Sequence, residues 1–213
     1  MLDNKFKYPR TYHFDFSQGM TSDDKVLQSY DNFIGNDIVI TEKMDGENTS
    51  LYNNGMHARS IDSGYHSSRT WVKSFHSSIA HLIPDGYRIC GENLFAKHSI
   101  HYNDLRSYFY GFSVWQLDYC LPWLETMTWF NFLGITSVPV IYEGKFDIDI
   151  VKDIADNLDT TKHEGFVVRL ASGIMMSDFE KSFGKWVRKN HVKDTDEHWM
   201  YRPVVKNILK RGV

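Results

Sequence analysis

Seven short runs rich in β-branched and aromatic residues constrain the fold of this chain more than any other feature of its sequence. Runs of this length and composition predict β-strands. They cover residues 37–41, 49–52, 87–91, 108–115, 138–142, 165–170 and 185–188. No internal repeat and no linker rich in glycine, proline or serine separates them, so we expect one domain over residues 1–213.

Three further segments predict helices that flank these strands. They cover residues 67–83, 121–133 and 147–158. In the first, Trp71, Phe75 and Ile79 recur at helical spacing. In the second, Pro122 stands near the start, where proline suits a helix. Strands and helices in this mixed order predict an α+β fold, with largely antiparallel sheets flanked by helices.

The composition excludes several classes of protein. No uncharged apolar stretch reaches the roughly 18 residues of a membrane span, and the N-terminal residues show no secretion signal. The glycine-rich loop of P-loop enzymes is absent. Cys90 and Cys120 form no metal or redox motif, so we interpret both as reduced core residues of a cytoplasmic protein.

Charge is unevenly distributed along the chain. Residues 185–213 carry eight Lys or Arg against three Asp or Glu, whereas residues 1–184 carry 16 against 24. A basic end on an acidic body favours a partner that carries phosphates, and a solvated terminal helix is the alternative. We therefore describe residues 194–213 as a short basic C-terminal extension of the domain.

One motif indicates chemistry. It follows a predicted strand and reads Thr41-Glu42-Lys43-Met44-Asp45-Gly46. A lysine at a strand end can be held facing a pocket, and there it can attack phosphorus once its ammonium loses a proton. Nearby cations and partial burial would favour the neutral amine, and we expect Gly46 to allow a turn. An exposed hairpin lysine is the alternative interpretation.

Further polar residues follow this lysine in a definite order. They are Arg59, then Glu92 in CGENLF, the aromatic run SYFYGFSVW, Glu164 in HEGFVVRL, and Lys185, Arg188 and Lys189 in FGKWVRKN. In this order they resemble the motifs of the covalent nucleotidyltransferase superfamily, which comprises polynucleotide ligases and mRNA-capping enzymes, over residues 38–192. The resemblance implies a nucleotidyltransferase domain, the ATP-grasp-like fold of ligases.

The resemblance also implies a mechanism. Lys43 would attack the α-phosphorus of ATP and release pyrophosphate, leaving AMP on the lysine. AMP would then pass to the 5′-phosphate of RNA, and a 3′-hydroxyl would displace it. Glu164 would bind Mg²⁺ or Mn²⁺, for which carboxylates are suitable ligands, unless it is an ordinary glutamate at a strand start.

Other positions would hold the nucleotide, by the same resemblance. Glu92 matches the residue that binds a ribose hydroxyl, and Arg59 the arginine beside sugar and phosphate. The backbone at Thr41 and Glu42 would read the adenine edge. Phe112 would stack on the base, although most rings of its strand are expected in the core.

The last motif supplies phosphate contacts. Lys185 would contact the α-phosphate and take part in catalysis. The family usually shows two basic residues one apart, whereas this chain has Val187 at the second position. Arg188 or Lys189 would therefore provide the second charge.

Chain length favours an RNA ligase within the superfamily. Only 24 residues follow Lys189, too few for the oligonucleotide-binding (OB-fold) barrel of DNA ligases and capping enzymes. The 42 residues before Lys43 show no nicotinamide-binding domain, which favours ATP over NAD. The short form resembles phage-type RNA ligases and their bacterial relatives, which implies the cytoplasm of a bacterium or of a phage-infected host.

The sequence leaves alternatives for how RNA is bound and for which reaction of the superfamily is catalysed. The favoured interpretation is a minimal ligase that recognises RNA ends weakly, with at most one basic helix, around residues 204–211, as its phosphate contact. The alternative is that an RNA-binding or repair partner protein supplies the grip. A compact DNA ligase and a guanylyltransferase are alternative enzymes of the same superfamily. A non-catalytic RNA-binding module that kept the fold is an alternative of a different class.

Overall fold

The computed structural model describes residues 5–62, 64–189 and 203–212. In these residues the strands are β1 Tyr12–His13, β2 Asp37–Glu42, β3 Glu47–Tyr52, β4 Gly55–Ala58, β5 Tyr87–Asn93, β6 Phe109–Gln116, β7 Tyr119–Cys120, β8 Thr136–Ser137, β9 Val140–Lys145, β10 Gly165–Leu170, β11 Ile174–Met175 and β12 Phe183–Val187. The helices are α1 Thr70–Ile79, α2 Trp123–Leu133, α3 Ile148–Asn157 and α4 Phe179–Ser182. The α+β fold and the positions of all seven predicted strands are confirmed.

The strands form two sheets. The first has the order β1-β12-β10-β2-β9, and the second has the order β11-β7-β6-β5-β3-β4 with β8 beside β6. All pairings are antiparallel except β1 with β12 and β6 with β8. The predicted antiparallel architecture is therefore confirmed, and none of the described helices is long and apolar enough to cross a membrane.

Alternation along the first sheet separates a core face from an open face. Ile40 of β2 and Phe166 of β10 share a hydrophobic cluster with Val151 of α3. Val167 of β10 lies beside both Thr41 and Lys185 in the strand register. Because side chains alternate along a strand, these three residues share the opposite face, and all three line a cleft.

The helices otherwise cover the second sheet. Val72 of α1 and Phe130 of α2 belong to one buried cluster with Leu51 of β3 and Ile89 of β5. The predicted segment 67–83 is a continuous helical unit in which single 3-10 turns precede and follow α1. Cys90 and Cys120 are buried and unpaired, as predicted.

The predicted helix at 204–211 is wrong. Residues 203–212 are extended and pair through bridges from Lys206 to Ala96 and from Leu209 to Leu105. Backbone groups of this segment bond to residues about 100 positions earlier, and these contacts replace the bonds of a helix. Residues 190–202 and 213 of the predicted extension lie outside the described residues.

Candidate active site

Three neighbouring strands bring the candidate catalytic residues together. Lys43 directly follows β2, and its backbone N–H donates to the carbonyl of Gly165 at 2.9 Å. The N–H of Arg188, directly after β12, donates to the carbonyl of Glu164 at 2.9 Å. The sheet thus fixes the backbone on both sides of Glu164, at the point where β10 begins.

Lys43 forms an ion pair at the base of the cleft. Its Nζ lies 2.6 Å from Oε2 of Glu164, and the two side chains are 29% and 7% exposed. Burial lowers the pKa of Lys43, but the carboxylates of Glu164 and Glu92 outweigh burial and raise this pKa above its usual value. The expectation that its surroundings favour the neutral amine is therefore wrong for the free protein, because anions surround the amine.

Negative charge is concentrated around this lysine. Burial raises the pKa of Glu92 to about 8, Lys43 opposes the shift, and Glu164 and Asp45 reinforce it. Burial is also the main reason that the pKa of Glu164 is raised. The ammonium of Lys43 thus faces three carboxyl groups. Near neutral pH a proton on Glu92 removes part of their negative charge.

The chemistry of this cluster fits a divalent cation, the ion implied beside Glu164 by the sequence resemblance. A cation would relieve the repulsion between Glu164, Glu92 and Asp45. In the part of the chain that the structure describes, no group of three or more His, Cys, Asp or Glu side chains could hold an ion by itself. Proteins commonly bind Mg²⁺ through one or two carboxylates together with substrate phosphates and water.

Lys185 of β12 faces the same cleft. Its Nζ lies 3.8 Å from Oδ1 of Asp24. Burial lowers the pKa of Lys185, Asp24 opposes this, and the neighbouring cations Lys43 and Arg59 lower it further. The structure thus places three cationic side chains close enough to influence one another, an arrangement suited to binding phosphate oxygens.

The cleft has a volume of about 510 Å³ and lies over the open face of the first sheet. The predicted site residues that line it are Thr41, Glu42, Lys43, Arg59, Glu92, Phe112 and Lys185. Glu164 adjoins it through its bond to Lys43. Arg188 and Lys189 do not line this cleft: the Arg188 guanidinium lies 3.5 Å from Oγ of Ser99, and Lys189 is exposed. The roles of all these residues stay predictions.

The ring of Phe112 lines the cleft on one side and packs against the hydrophobic core on the other. The ring is half-buried and meets Tyr8 edge-on, with 5.2 Å between ring centroids. Val167 of β10 lines the same cleft. A flat apolar group such as a base therefore has a ring and a branched side chain available to it here.

Sequence reasoning missed Arg169, a buried cation in the cleft wall. The residue is 2% exposed. Its Nη2 donates to the carbonyl of Leu121 at 2.8 Å and its Nε to that of Leu170 at 3.1 Å. Nη1 has no hydrogen-bond partner within the described residues. An arginine in the otherwise apolar run GFVVRL was the signal, because a charge in a buried strand needs a partner.

The two motif residues after Lys43 have structural tasks that the sequence did not specify. Oδ2 of Asp45 accepts hydrogen bonds from N and Oγ of Ser99, each at 2.7 Å, and from N of Ile100 at 2.6 Å. A Cβ on Gly46 would lie 2.6 Å from the carbonyl oxygen of Asn93. Gly46 is thus required by a close backbone approach, and its φ is not in the left-handed region.

An N-terminal segment forms another missed wall of the cleft. Tyr8, Pro9, Arg10 and Thr11 all line it. The segment connects the two sheets, because the carbonyl of Phe6 accepts from Nη1 of Arg88 at 2.8 Å and β1 pairs with β12. No motif or periodicity marks this segment in the sequence.

The family model for RNA ligases matches residues 36–187. Among curated proteins, none matches this sequence. Solved structures do match, at identities of 14–16% for the three described below.

An archaeal ATP-dependent RNA ligase matches with a TM-score of 0.57 at 16% identity, over 82% of this chain and 48% of that protein. The Naegleria gruberi RNA ligase with pyrophosphate matches with a TM-score of 0.56 at 14% identity, over 84% and 57% of the two chains. A variant of the same enzyme was solved with ATP and Mn.

A putative ATP-dependent DNA ligase from Aquifex aeolicus matches with a TM-score of 0.56 at 15% identity, over 86% of this chain and 50% of that one. The chain spans about half the length of these matched structures. At such identities the similarity establishes a shared fold, which confirms the fold class predicted from the sequence.

Proposed function

The chain belongs to the RNA ligase family, and from this premise we propose that it is an ATP-dependent RNA ligase that joins RNA ends through a lysyl-AMP intermediate on Lys43. The observation that carries the proposal is the cleft lined by Lys43 and Lys185, with Glu164 bonded to Lys43, on or directly beside three adjacent strands. The 5′-phosphate and 3′-hydroxyl ends of RNA would be the groups joined.

ATP and a divalent cation are the cofactors that we propose. The Naegleria gruberi RNA ligase, which shares this fold, has been solved with ATP and Mn. A cleft of about 510 Å³ is within the usual size of small-molecule sites. Glu164 would hold the cation, which when bound supplies neutralisation of charge at the α-phosphate.

Lys43 carries the first step. Its Nζ must lose a proton before it attacks, because in the free protein the carboxylates of Glu164 and Glu92 keep it as an ammonium. Anything that withdraws Glu164 from the ion pair lowers the pKa of Lys43 and favours the nucleophile. A nitrogen–phosphorus bond then forms while the bond from the α-phosphorus to the leaving pyrophosphate breaks. Lys185 would stabilise the developing charge on the α-phosphate oxygens.

The two later steps are also displacements at phosphorus, so positioning and charge neutralisation dominate them. An oxygen of the RNA 5′-phosphate attacks the AMP phosphorus, and the bond to Nζ of Lys43 breaks and restores the amine. The 3′-hydroxyl oxygen then attacks the 5′-phosphorus, loses its proton, and expels AMP.

The base and the sugar would occupy the other end of the cleft. Phe112 and Val167 would contact the base, and the backbone at Thr41 and Glu42 would meet its edge. Glu92 and Arg59 would hold the ribose and a phosphate.

Intact mass spectrometry after incubation with ATP and Mg²⁺ tests this proposal. We expect the mass of one AMP to be added, and peptide mapping to place it on Lys43. A wild-type protein that never gains AMP would contradict the proposal and favour a non-catalytic RNA-binding module. Addition of GMP from GTP in place of AMP would indicate a guanylyltransferase.

DNA ligation is the second candidate function, because the Aquifex aeolicus protein of the same fold is a putative DNA ligase. RNA and DNA strands of identical sequence, offered to the AMP-loaded protein, separate the two. We expect RNA ends to be sealed faster. Sealing of DNA ends alone would replace the RNA ligase assignment.

A further inference from the structure

Two segments far apart in the sequence form one basic surface beside the cleft. They are the loop 94–106 and the strap 203–212, joined by the bridges from Lys206 to Ala96 and from Leu209 to Leu105. We call this surface the basic rim. Its cations are Lys97, Arg106, Lys206, Lys210 and Arg211, all exposed, against Asp104 as its single carboxylate.

The charge of the rim contrasts with the rest of the chain. The whole chain has 24 Lys or Arg and 27 Asp or Glu, so 19 basic and 26 acidic residues remain outside the rim. The rim therefore has a local excess of positive charge on a chain that is acidic elsewhere, and such a surface attracts a polyanion.

The rim has a fixed backbone because buried Asn207 fastens the strap to the loop. Asn207 is 1% exposed. Its Nδ2 donates to the carbonyl of Leu94 at 2.8 Å, its Oδ1 accepts from N of Tyr102 at 2.9 Å, and its backbone N–H donates to the carbonyl of Phe95 at 3.1 Å. The exposed lysines thus stand on an ordered base.

Further backbone bonds and a ring contact extend this docking on both sides of Asn207. N–H of Lys97 donates to the carbonyl of Val205 at 2.7 Å, and N–H of Lys210 donates to the carbonyl of Leu105 at 2.8 Å. Nζ of Lys206 lies 5.1 Å from the ring centroid of Phe95. Lysines from both segments are thus held on one surface, which reduces the entropy lost when they bind a strand.

The same loop leads directly to the reactive lysine. Ser99 and Ile100 hold the carboxylate of Asp45, two residues after Lys43. His98 of this loop lines the cleft itself. A strand that lies along the rim would therefore bring its end to the Lys43 side of the cleft.

We propose that the basic rim binds the sugar–phosphate backbone of the RNA strand whose 5′-phosphate enters the cleft at Lys43. This inference rests on the proposed function for the identity of the strand. The cations of the rim are exposed and suit phosphate oxygens, so we expect binding that is independent of sequence and sensitive to salt.

The test compares two triple variants that lose the same charge. The rim variant carries Lys97→Ala, Lys206→Ala and Lys210→Ala. The control variant carries Lys152→Ala, Lys162→Ala and Lys181→Ala, all exposed residues that neither line the cleft nor belong to the rim. Equal net charge makes any difference between them a matter of position.

Affinity for a 5′-phosphorylated RNA oligonucleotide is measured for both variants and wild type over a range of salt concentrations. Each phosphate contact contributes about 0.7 to the slope of log K against log salt for a single strand, so the rim variant is expected to lose about 2 from that slope. We also expect its affinity to fall by about tenfold near physiological salt. A rim variant that binds like the control would overturn the proposal.

Failure of the rim and failure of the proposed function give different results. Formation of lysyl-AMP from ATP without RNA is measured on the same three proteins. If wild type binds RNA through the rim but never gains AMP, the rim is supported as an RNA-binding surface and the proposed ligase activity is contradicted. A rim variant that loses lysyl-AMP formation as strongly as RNA affinity would refute the rim as an RNA surface, because its lysines would then support the nucleotide cleft. The single variant Lys210→Glu, at an exposed side chain, repeats the comparison if the triple variant does not fold.

Discussion

The floor of the cleft, which we define as Lys43, Glu164 and Lys185, differs from the basic rim in how its backbone is held. Lys43, Glu164 and Lys185 stand on or directly beside β2, β10 and β12, which hydrogen-bond to one another. The loop 94–106 and the strap 203–212 have little regular structure and depend on side-chain contacts such as those of Asn207. Groups that react need fixed positions, which paired strands supply. A surface that only has to attract a polyanion tolerates irregular backbone.

The largest expected effect lies on the floor. Lys43→Arg keeps the positive charge beside Glu164 but replaces the amine with a guanidinium that does not lose its proton. We expect lysyl-AMP formation to fall by about 10⁴-fold or more, as when a nucleophile is removed, in intact mass spectra taken after ATP. Lys73→Arg on α1, remote from the cleft lining, is the control. Lysyl-AMP at the wild-type rate would assign the nucleophile to another lysine.

The ion pair on the floor is the next test. Glu164→Gln keeps the shape of the side chain and removes its charge, and we expect the rate of lysyl-AMP formation to fall by about 10²–10³-fold. Because Glu164 raises the pKa of Lys43, its removal lowers that pKa. The pH at which the residual rate increases should therefore be lower for Glu164→Gln than for wild type. Coincident pH profiles would show that this carboxylate does not govern the titration of the amine.

A substitution in the rim tests how strongly the reaction at the floor depends on the structure of the rim. Asn207→Ala leaves buried backbone groups of the loop without partners, which costs about 1–3 kcal/mol of stability. We expect lysyl-AMP formation to fall by about tenfold, because the loop that holds Asp45 loosens. Thermal melting and the rate at a temperature well below the transition are the measurements.

The matched control for this change is Asn157→Ala at the exposed end of α3, where Nδ2 donates to the carbonyl and to Oδ1 of Asp153. A lower melting temperature with an unchanged rate would mean that the strap stabilises the fold without positioning the floor.

The smallest expected effect concerns the charge of the floor. Burial raises the pKa of Glu92 to about 8 from its ordinary value of 4.5, so the folded protein holds a proton that the unfolded chain releases. That contribution to stability is fully present below the unfolded pKa and is lost as pH rises toward 8. We expect the melting temperature of wild type to fall relative to that of Glu92→Gln between pH 5 and pH 8. Parallel curves would indicate that Glu92 is ionised throughout.

Local patterns predicted the strands and the order of the floor residues. The run that became β10 is short and rich in β-branched and aromatic residues, and its bounds were predicted without error. Glu164 stands at its start and Lys43 at the end of another predicted strand. A single-sequence pattern carries this information because strand propensity and motif spacing are properties of neighbouring residues.

The same reasoning failed where distant contacts decide the conformation. Residues 204–211 contain residues compatible with a helix, yet Asn207 is bonded to Leu94, 113 positions earlier. Arg169 and the wall around Tyr8 and Arg10 were missed because no local pattern distinguishes a residue beside a cleft from one in the core. Glu164 was expected at the site as a metal ligand, but its direct ion pair with Lys43, 121 positions earlier, was not predicted.

By itself, the sequence determined which segments are strands and which side chains are chemically capable of acting on a phosphate. Only the tertiary structure decided that Lys43 is an ammonium paired with Glu164, that Gly46 is required by the backbone of Asn93, and that an extended strap completes a basic rim. The physical reason is range. Propensity and spacing act over a few residues, whereas pKa values, close packing and surface charge depend on groups that folding brings together from the whole chain.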